Sequence, residues 1–176
     1  ITARREPAAN LWDPTDVRPL STGQVSTTQT FDHGTFEVRV RHEAGANLAQ
    51  AVWMLPYPLR WPPEIDIVET RLSVDPATAF FNAYSGTPDA PLDEPTFVDF
   101  DEPLDGRWVT YRLVWEGATM AWYVDGELVR SQETDVAGVP MRLILDQSWI
   151  VPWSGDGPVS AQLPVSLEID YVRIWQ

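Results

Sequence analysis

Strict alternation of apolar and polar residues, repeated in short segments between turn signals, restricts this chain to antiparallel β structure. Thr35 to His42 places Phe36, Val38, Val40 and His42 on one face and Thr35, Glu37, Arg39 and Arg41 on the other, the period of a strand with one wet face. Val109, Tyr111, Leu113 and Trp115 repeat the pattern, and Ala121–Val124 and Glu127–Arg130 flank Asp125-Gly126, the signal of a two-residue type I′ hairpin. Ala49–Leu55 and Leu143–Leu145 are almost continuously apolar, as strands in the middle of a sheet would be. No window of about 11 residues or more sustains a helical stripe, and 16 Pro with 10 Gly punctuate the chain at the spacing of turns. The Pro- and acid-rich stretch Thr87–Pro103 reads as a long connection along an edge. The expected fold class is all-β, a sandwich of two antiparallel sheets, and 176 residues suit one domain over residues 1–176.

Charge narrows the partners. Twelve basic residues against 26 acidic give a net charge of −14, with no basic run to displace counterions from a phosphate backbone. Nucleic acid and anionic membrane surfaces are excluded as partners, and a neutral substrate is favoured. Zero Cys removes disulfides, thiolate metal sites and Cys nucleophiles. His33 sits in the turn Asp32-His33-Gly34 and His42 ends a strand, so neither supports a metal site or a Ser-His-Asp triad. No metal and no cofactor are expected.

The most informative segment is Glu64-Ile-Asp-Ile-Val-Glu-Thr70, three acids among β-branched residues. In a regular strand Glu64 and Asp66 share a face and Glu69 takes the other. A bulge at Ile67-Val68 would absorb one residue and return Glu69 to the face of Glu64, and bulges are frequent beside active sites. Three crowded carboxyls cannot ionise independently, so one holds a proton near neutrality and can act as general acid. Two carboxyls about 5 Å apart suit a retaining glycosidase. Trp53 and Trp61 lie near by in sequence, and Gln147, Trp149 and Trp153 form a second cluster. Aromatic faces beside polar groups suit sugar rings.

In the order of its segments the chain resembles glycoside hydrolase family 16, the laminarinase and lichenase group, over nearly its whole length. Gly34–Arg41 is similar to the family's G-x-x-E-x-R strand, Ala51-Val-Trp-Met-Leu55 to its A-x-W-M-L strand, and Glu64–Glu69 to its E-x-D-x-x-E signature. Trp122-Tyr-Val-Asp-Gly126 and Ile169–Trp175 resemble its hairpin and closing strand. The resemblance implies a concanavalin-like jelly roll and a retaining endo-β-glucanase acting on β-1,3 or mixed β-1,3/1,4-glucan, extracellular and monomeric. Glu64 would be the nucleophile, Glu69 the acid/base and Asp66 the helper, with Trp53, Trp61, Asn82, Tyr84, Gln147 and Trp149 contacting sugar. A transglycosylase, or a non-catalytic carbohydrate-binding or adhesion module of the same fold, is the alternative. The chain departs from the family pattern in lacking a region before Ile1–Glu6, implying a shortened N-terminal strand region. It also has Arg107-Trp108 where many members have His, Asp146 for the usual Asn, and Asp170 at a calcium-ligand position without its N-terminal partners.

Overall fold

The structure is a computed structural model that describes residues 1–9, 13–45, 47–149 and 163–176. Among these residues every regular element is a strand: β1 (Thr2–Ala3), β2 (Ala8–Ala9), β3 (Val17–Arg18), β4 (Gln24–Ser26), β5 (Gly34–Arg41), β6 (Ala49–Pro56), β7 (Glu64–Thr70), β8 (Thr78–Thr87), β9 (Ala90–Leu92), β10 (Thr96–Asp99), β11 (Trp108–Glu116), β12 (Thr119–Val124), β13 (Glu127–Glu133), β14 (Met141–Ser148), β15 (Val165–Ser166) and β16 (Glu168–Trp175). A seven-stranded sheet runs β10-β8-β7-β6-β14-β4, with β9 also paired to β8. A five-stranded sheet runs β13-β12-β11-β5-β16. The two sheets pack face to face over one core, as the alternation requires.

Both inner faces are those the sequence marks as apolar. Phe36, Val38 and Val40 of β5 and Val109, Tyr111, Leu113 and Trp115 of β11 are fully buried against Val52, Met54, Ile65, Ile67, Phe81 and Leu143 of the other sheet. Burying each such side chain stabilises the fold by roughly 1.5–3 kcal/mol. The hairpin at Asp125-Gly126 has φ of 48° and 92°, the two left-handed residues of a type I′ turn, with Val124 paired to Glu127. The runs in β6 and β14 are interior strands of the larger sheet.

Two expectations change. The stretch Thr87–Pro103 is not simply a connection: β9 closes a hairpin on Ser85–Thr87, and β10 pairs with Thr78–Phe81 at the sheet edge. His42 does end a strand, but it is buried, and its side chain organises a polar thread through the core. Its Nδ1–H donates to Gln50 Oε1 at 3.0 Å, and its Nε2 accepts from the Tyr111 hydroxyl at 3.1 Å. Gln50 Nε2 donates onward to Glu43 O and to Gln147 Oε1, and Gln147 Nε2 to Ile1 O and Val165 O. This thread ties β1 and β15, which pair with each other, to the sandwich.

Candidate active site

Strand β7 carries the bulge. Val52 faces Val68 while Trp53 faces Asp66, so Ile67 has no opposite number on β6. On the other side Asp66 pairs with Asn82 and Glu69 with Phe80, leaving Ile67 and Val68 opposite the single residue Phe81. The extra residue turns both Ile67 and Val68 into the core, where each is fully buried, and returns Glu69 to the face of Glu64 and Asp66.

Cross-strand rows then define the outward face of the larger sheet. One row reads Asp146, Ala51, Glu69, Phe80 across β14, β6, β7 and β8; the next reads Ile144, Trp53, Asp66, Asn82; Glu64 faces Tyr84. Trp61, on the segment leading into β7, lies with its ring centroid 5.8 Å from that of Tyr84 and is 40% exposed. Thus Glu64, Asp66, Glu69, Trp53, Trp61, Asn82 and Tyr84 come together.

Gln147 and Trp149 do not join them. Counting from the buried Leu143 and Leu145, position 147 falls on the inner face, where its amide belongs to the thread from His42. Trp149 packs on a small cluster of Ala3, Leu20, Leu48 and Val165. Trp153 lies outside the described residues. The same parity turns Asp146 outward, making it a fourth carboxyl of the site, one that alternation alone could have revealed.

The electrostatics follow from burial. Asp66 is fully buried, and neither oxygen meets an N–H or hydroxyl donor. Its side-chain hydrogen bond is with the Glu64 carboxyl, which requires a proton on one of the two. Burial, then the charges of Glu69 and Glu64, hold Asp66 well above the usual carboxylate range, against the opposing charge of Arg130. The proton therefore resides on Asp66. Glu64 is raised by burial but drawn down by hydrogen bonds from Asp66 and Trp61, which makes it the most readily ionised member of this pair. Burial, Glu64 and Asp146 push Glu69 up to about 8, with Arg71 opposing. Asp146 is pushed up to about 7 by burial, against the influence of the Trp53 indole N–H, whose contact falls short of a full hydrogen bond. Tyr84 is pushed up to about 12, again chiefly by burial.

At neutral pH the face thus offers an ionisable carboxylate, a carboxylic acid poised to give up its proton, and a third carboxyl that hydrogen-bonds the first. The Asn82 amide is fully buried beside them, where it draws the Tyr84 hydroxyl down against the effect of burial. Among the described residues no cluster of His, Cys, Asp and Glu is arranged to hold a metal ion.

Two antiparallel sheets over one core, one of them presenting recessed carboxyls between aromatic rings, define an all-β jelly roll with a polar site on one sheet. The chain belongs to Glycosyl hydrolases family 16, whose family model matches residues 10–172. It is 22% identical over 146 residues to a beta-glucanase of Bacillus amyloliquefaciens, an alignment covering 79% of this chain and 60% of the relative. It is 27% identical over 161 residues to endo-1,3-1,4-beta-glycanase ExoK of Rhizobium meliloti, covering 88% and 58%. This chain therefore spans about three fifths of the length of these two relatives. Among solved structures it is similar to SCLam, a non-specific endo-beta-1,3(4)-glucanase, with a TM-score of 0.80 and 28% identity over 100% of this chain and 70% of that one.

Proposed function

We propose that this chain is a retaining endo-β-glucanase that hydrolyses β-1,3 or mixed β-1,3/1,4-glucan by double displacement. The observation that carries the reading is the bulge at Ile67–Val68, because it puts an ionisable Glu64 and a protonated Glu69 on one recessed face. The printed activities of the relatives support the substrate class.

In the first step the Glu64 carboxylate attacks the anomeric carbon, the glycosidic bond breaks, and Glu69 transfers its proton to the leaving oxygen. The proton on Asp66 hydrogen-bonds to Glu64 and spares it a second adjacent negative charge. In the second step Glu69, now a carboxylate, takes a proton from water as that water attacks the glycosyl-enzyme, which frees Glu64 and regenerates the acid. Trp53, Trp61 and Tyr84 supply ring faces for pyranose rings, and Asn82 lies beneath them beside Tyr84. Among the described residues no helix is long and apolar enough to cross a membrane. The enzyme acts as a monomer on a polymer met outside the cell, in keeping with a neutral substrate and a strongly acidic protein.

Incubation with laminarin and lichenan tests the reading. New reducing ends are expected, with retention of anomeric configuration by NMR of the first product, and Glu64→Gln should lower turnover by about three orders of magnitude or more while leaving the circular dichroism unchanged. Binding to these polymers with no product from any of them would overturn hydrolysis in favour of a non-catalytic carbohydrate-binding module. Transfer to added sugar in preference to water would mark a transglycosylase.

A further inference from the structure

The bulge is braced from the sheet that carries no catalytic carboxyl. The Trp122 indole of β12, fully buried, donates from Nε1 to the backbone carbonyl of Asp66 at 2.9 Å, immediately before the bulged residues. Arg130 of β13, also buried, donates from Nη1 to the carbonyl of Phe81 at 3.1 Å, and Phe81 is the residue facing the bulge. Each carbonyl flanking the irregularity thus takes a donor from across the core, where ladder geometry is interrupted and an unpaired carbonyl would be costly. The two donors are themselves coupled, the guanidinium lying 5.1 Å from the centre of the Trp122 ring. Arg130 is held further by Thr96 Oγ1 at 3.0 Å and by Gln132 Oε1.

We propose that Trp122 and Arg130 are positioning residues for the glucanase reaction: together they hold the bulge at Ile67–Val68 in the register that aligns Glu64, Asp66 and Glu69. The inference rests on the proposed hydrolysis for its kinetic consequence, but the local rigidity it asserts does not depend on turnover. Trp122→Phe keeps an aromatic ring but removes the indole donor together with one of the two fused rings, so a cavity accompanies the lost hydrogen bond and the site-local readouts below separate the two. Arg130→Met keeps the bulk of the side chain and removes the fork and the charge; Arg130→Lys restores the charge without the fork. A misplacement of about 1 Å at a reacting group costs on the order of a hundredfold in rate.

Native-state hydrogen exchange and steady-state kinetics test it together. In Trp122→Phe the amides of Ile67, Val68 and Glu69 should exchange at least tenfold faster relative to those of β11, with kcat lowered ten- to a hundredfold and KM within about twofold. Arg130→Met should behave alike, and Arg130→Lys should fall between it and the parent. Uniform acceleration across both sheets with kcat per folded molecule unchanged would overturn the proposal, as that is the signature of a core residue with no special tie to the site. Should Arg130→Met fail to fold, Trp122→Phe and Arg130→Lys decide the matter by the same readouts. If the parent hydrolyses no glucan, the proposed function falls, and local against uniform exchange still judges the bracing.

Discussion

Asp146 sits two strands from Glu69 with only the methyl of Ala51 between them in the row, so little protein separates the two carboxyls. Two strand spacings are about 10 Å, over which a unit charge at an effective dielectric near 20 contributes about 1.7 kcal/mol, or about one pKa unit. Asp146→Asn should therefore move the alkaline limb of the kcat/KM profile down by roughly one pH unit, because Glu69 then loses its proton more easily. An unmoved limb would show that burial and Glu64, without Asp146, set the proton affinity of Glu69. Stability carries the same signature. Glu69, raised from 4.5 to about 8, and Asp146, raised from 3.8 to about 7, each stabilise the fold fully below the lower value and lose that contribution as pH rises through the upper. His42 acts oppositely: burial lowers it from 6.5 to about 4, so its contribution is present above 6.5 and is lost as pH falls toward 4. Between about pH 4.5 and 6.5 two acids lose stability while one histidine gains it, so the urea midpoint should fall as pH rises from about 5 to 8, more gently below 6.5 than just above it, and Asp146→Asn should leave it nearly level below 6.5.

At the level of strands, the period-two pattern made β5, β11 and the β12–β13 hairpin readable, since there one face is wet and the other dry. The bulge was readable too, because three acids at spacings of two and three cannot share a face in a regular strand. Residue type points Gln147 toward the site, but parity governs: it is a buried amide on the inner face, satisfied by carbonyls. The bracing by Trp122 and Arg130 left no local signal, because it joins residues 56 and 49 positions apart through the core. In the hairpin turn Gly126 has φ of 92°, and a Cβ added there would meet nothing within 4 Å. Gly126→Ala should therefore cost only backbone strain, about 1–2 kcal/mol, with turnover per folded molecule unchanged, as read from urea unfolding and initial rates. A larger loss would mean that the turn does more than reverse the chain.

Over the whole molecule, a net charge of −14 sets a long-range preference that the cleft does not need to encode. On the outer face of the five-stranded sheet the cations are largely matched, Arg39 by Asp170 and Arg41 by Glu168, with both guanidinium groups also over the Trp108 ring. Such exposed pairs contribute at most about 1 kcal/mol each. The excess negative charge lies elsewhere and repels anionic polymers over a Debye length of about 10 Å at 0.1 M salt. Rates on neutral laminarin should be nearly insensitive to ionic strength, whereas those on a carboxymethylated glucan should rise as salt is added. Equal salt dependence for the two would exclude long-range repulsion as a selector.

The polar thread from Tyr111 through His42, Gln50 and Gln147 runs in one sense only: every nitrogen after the imidazole gives and every oxygen receives, down to the carbonyls of Ile1 and Val165. The acid isostere in place of the Gln147 amide carries at most one hydrogen where the amide has two, so at least one of those carbonyls would face a lone pair. The break would open where β1 meets β15, so that strand pair would come loose from the body while β16, held along β5, and the carboxyl row, anchored on the opposite face, stayed in place.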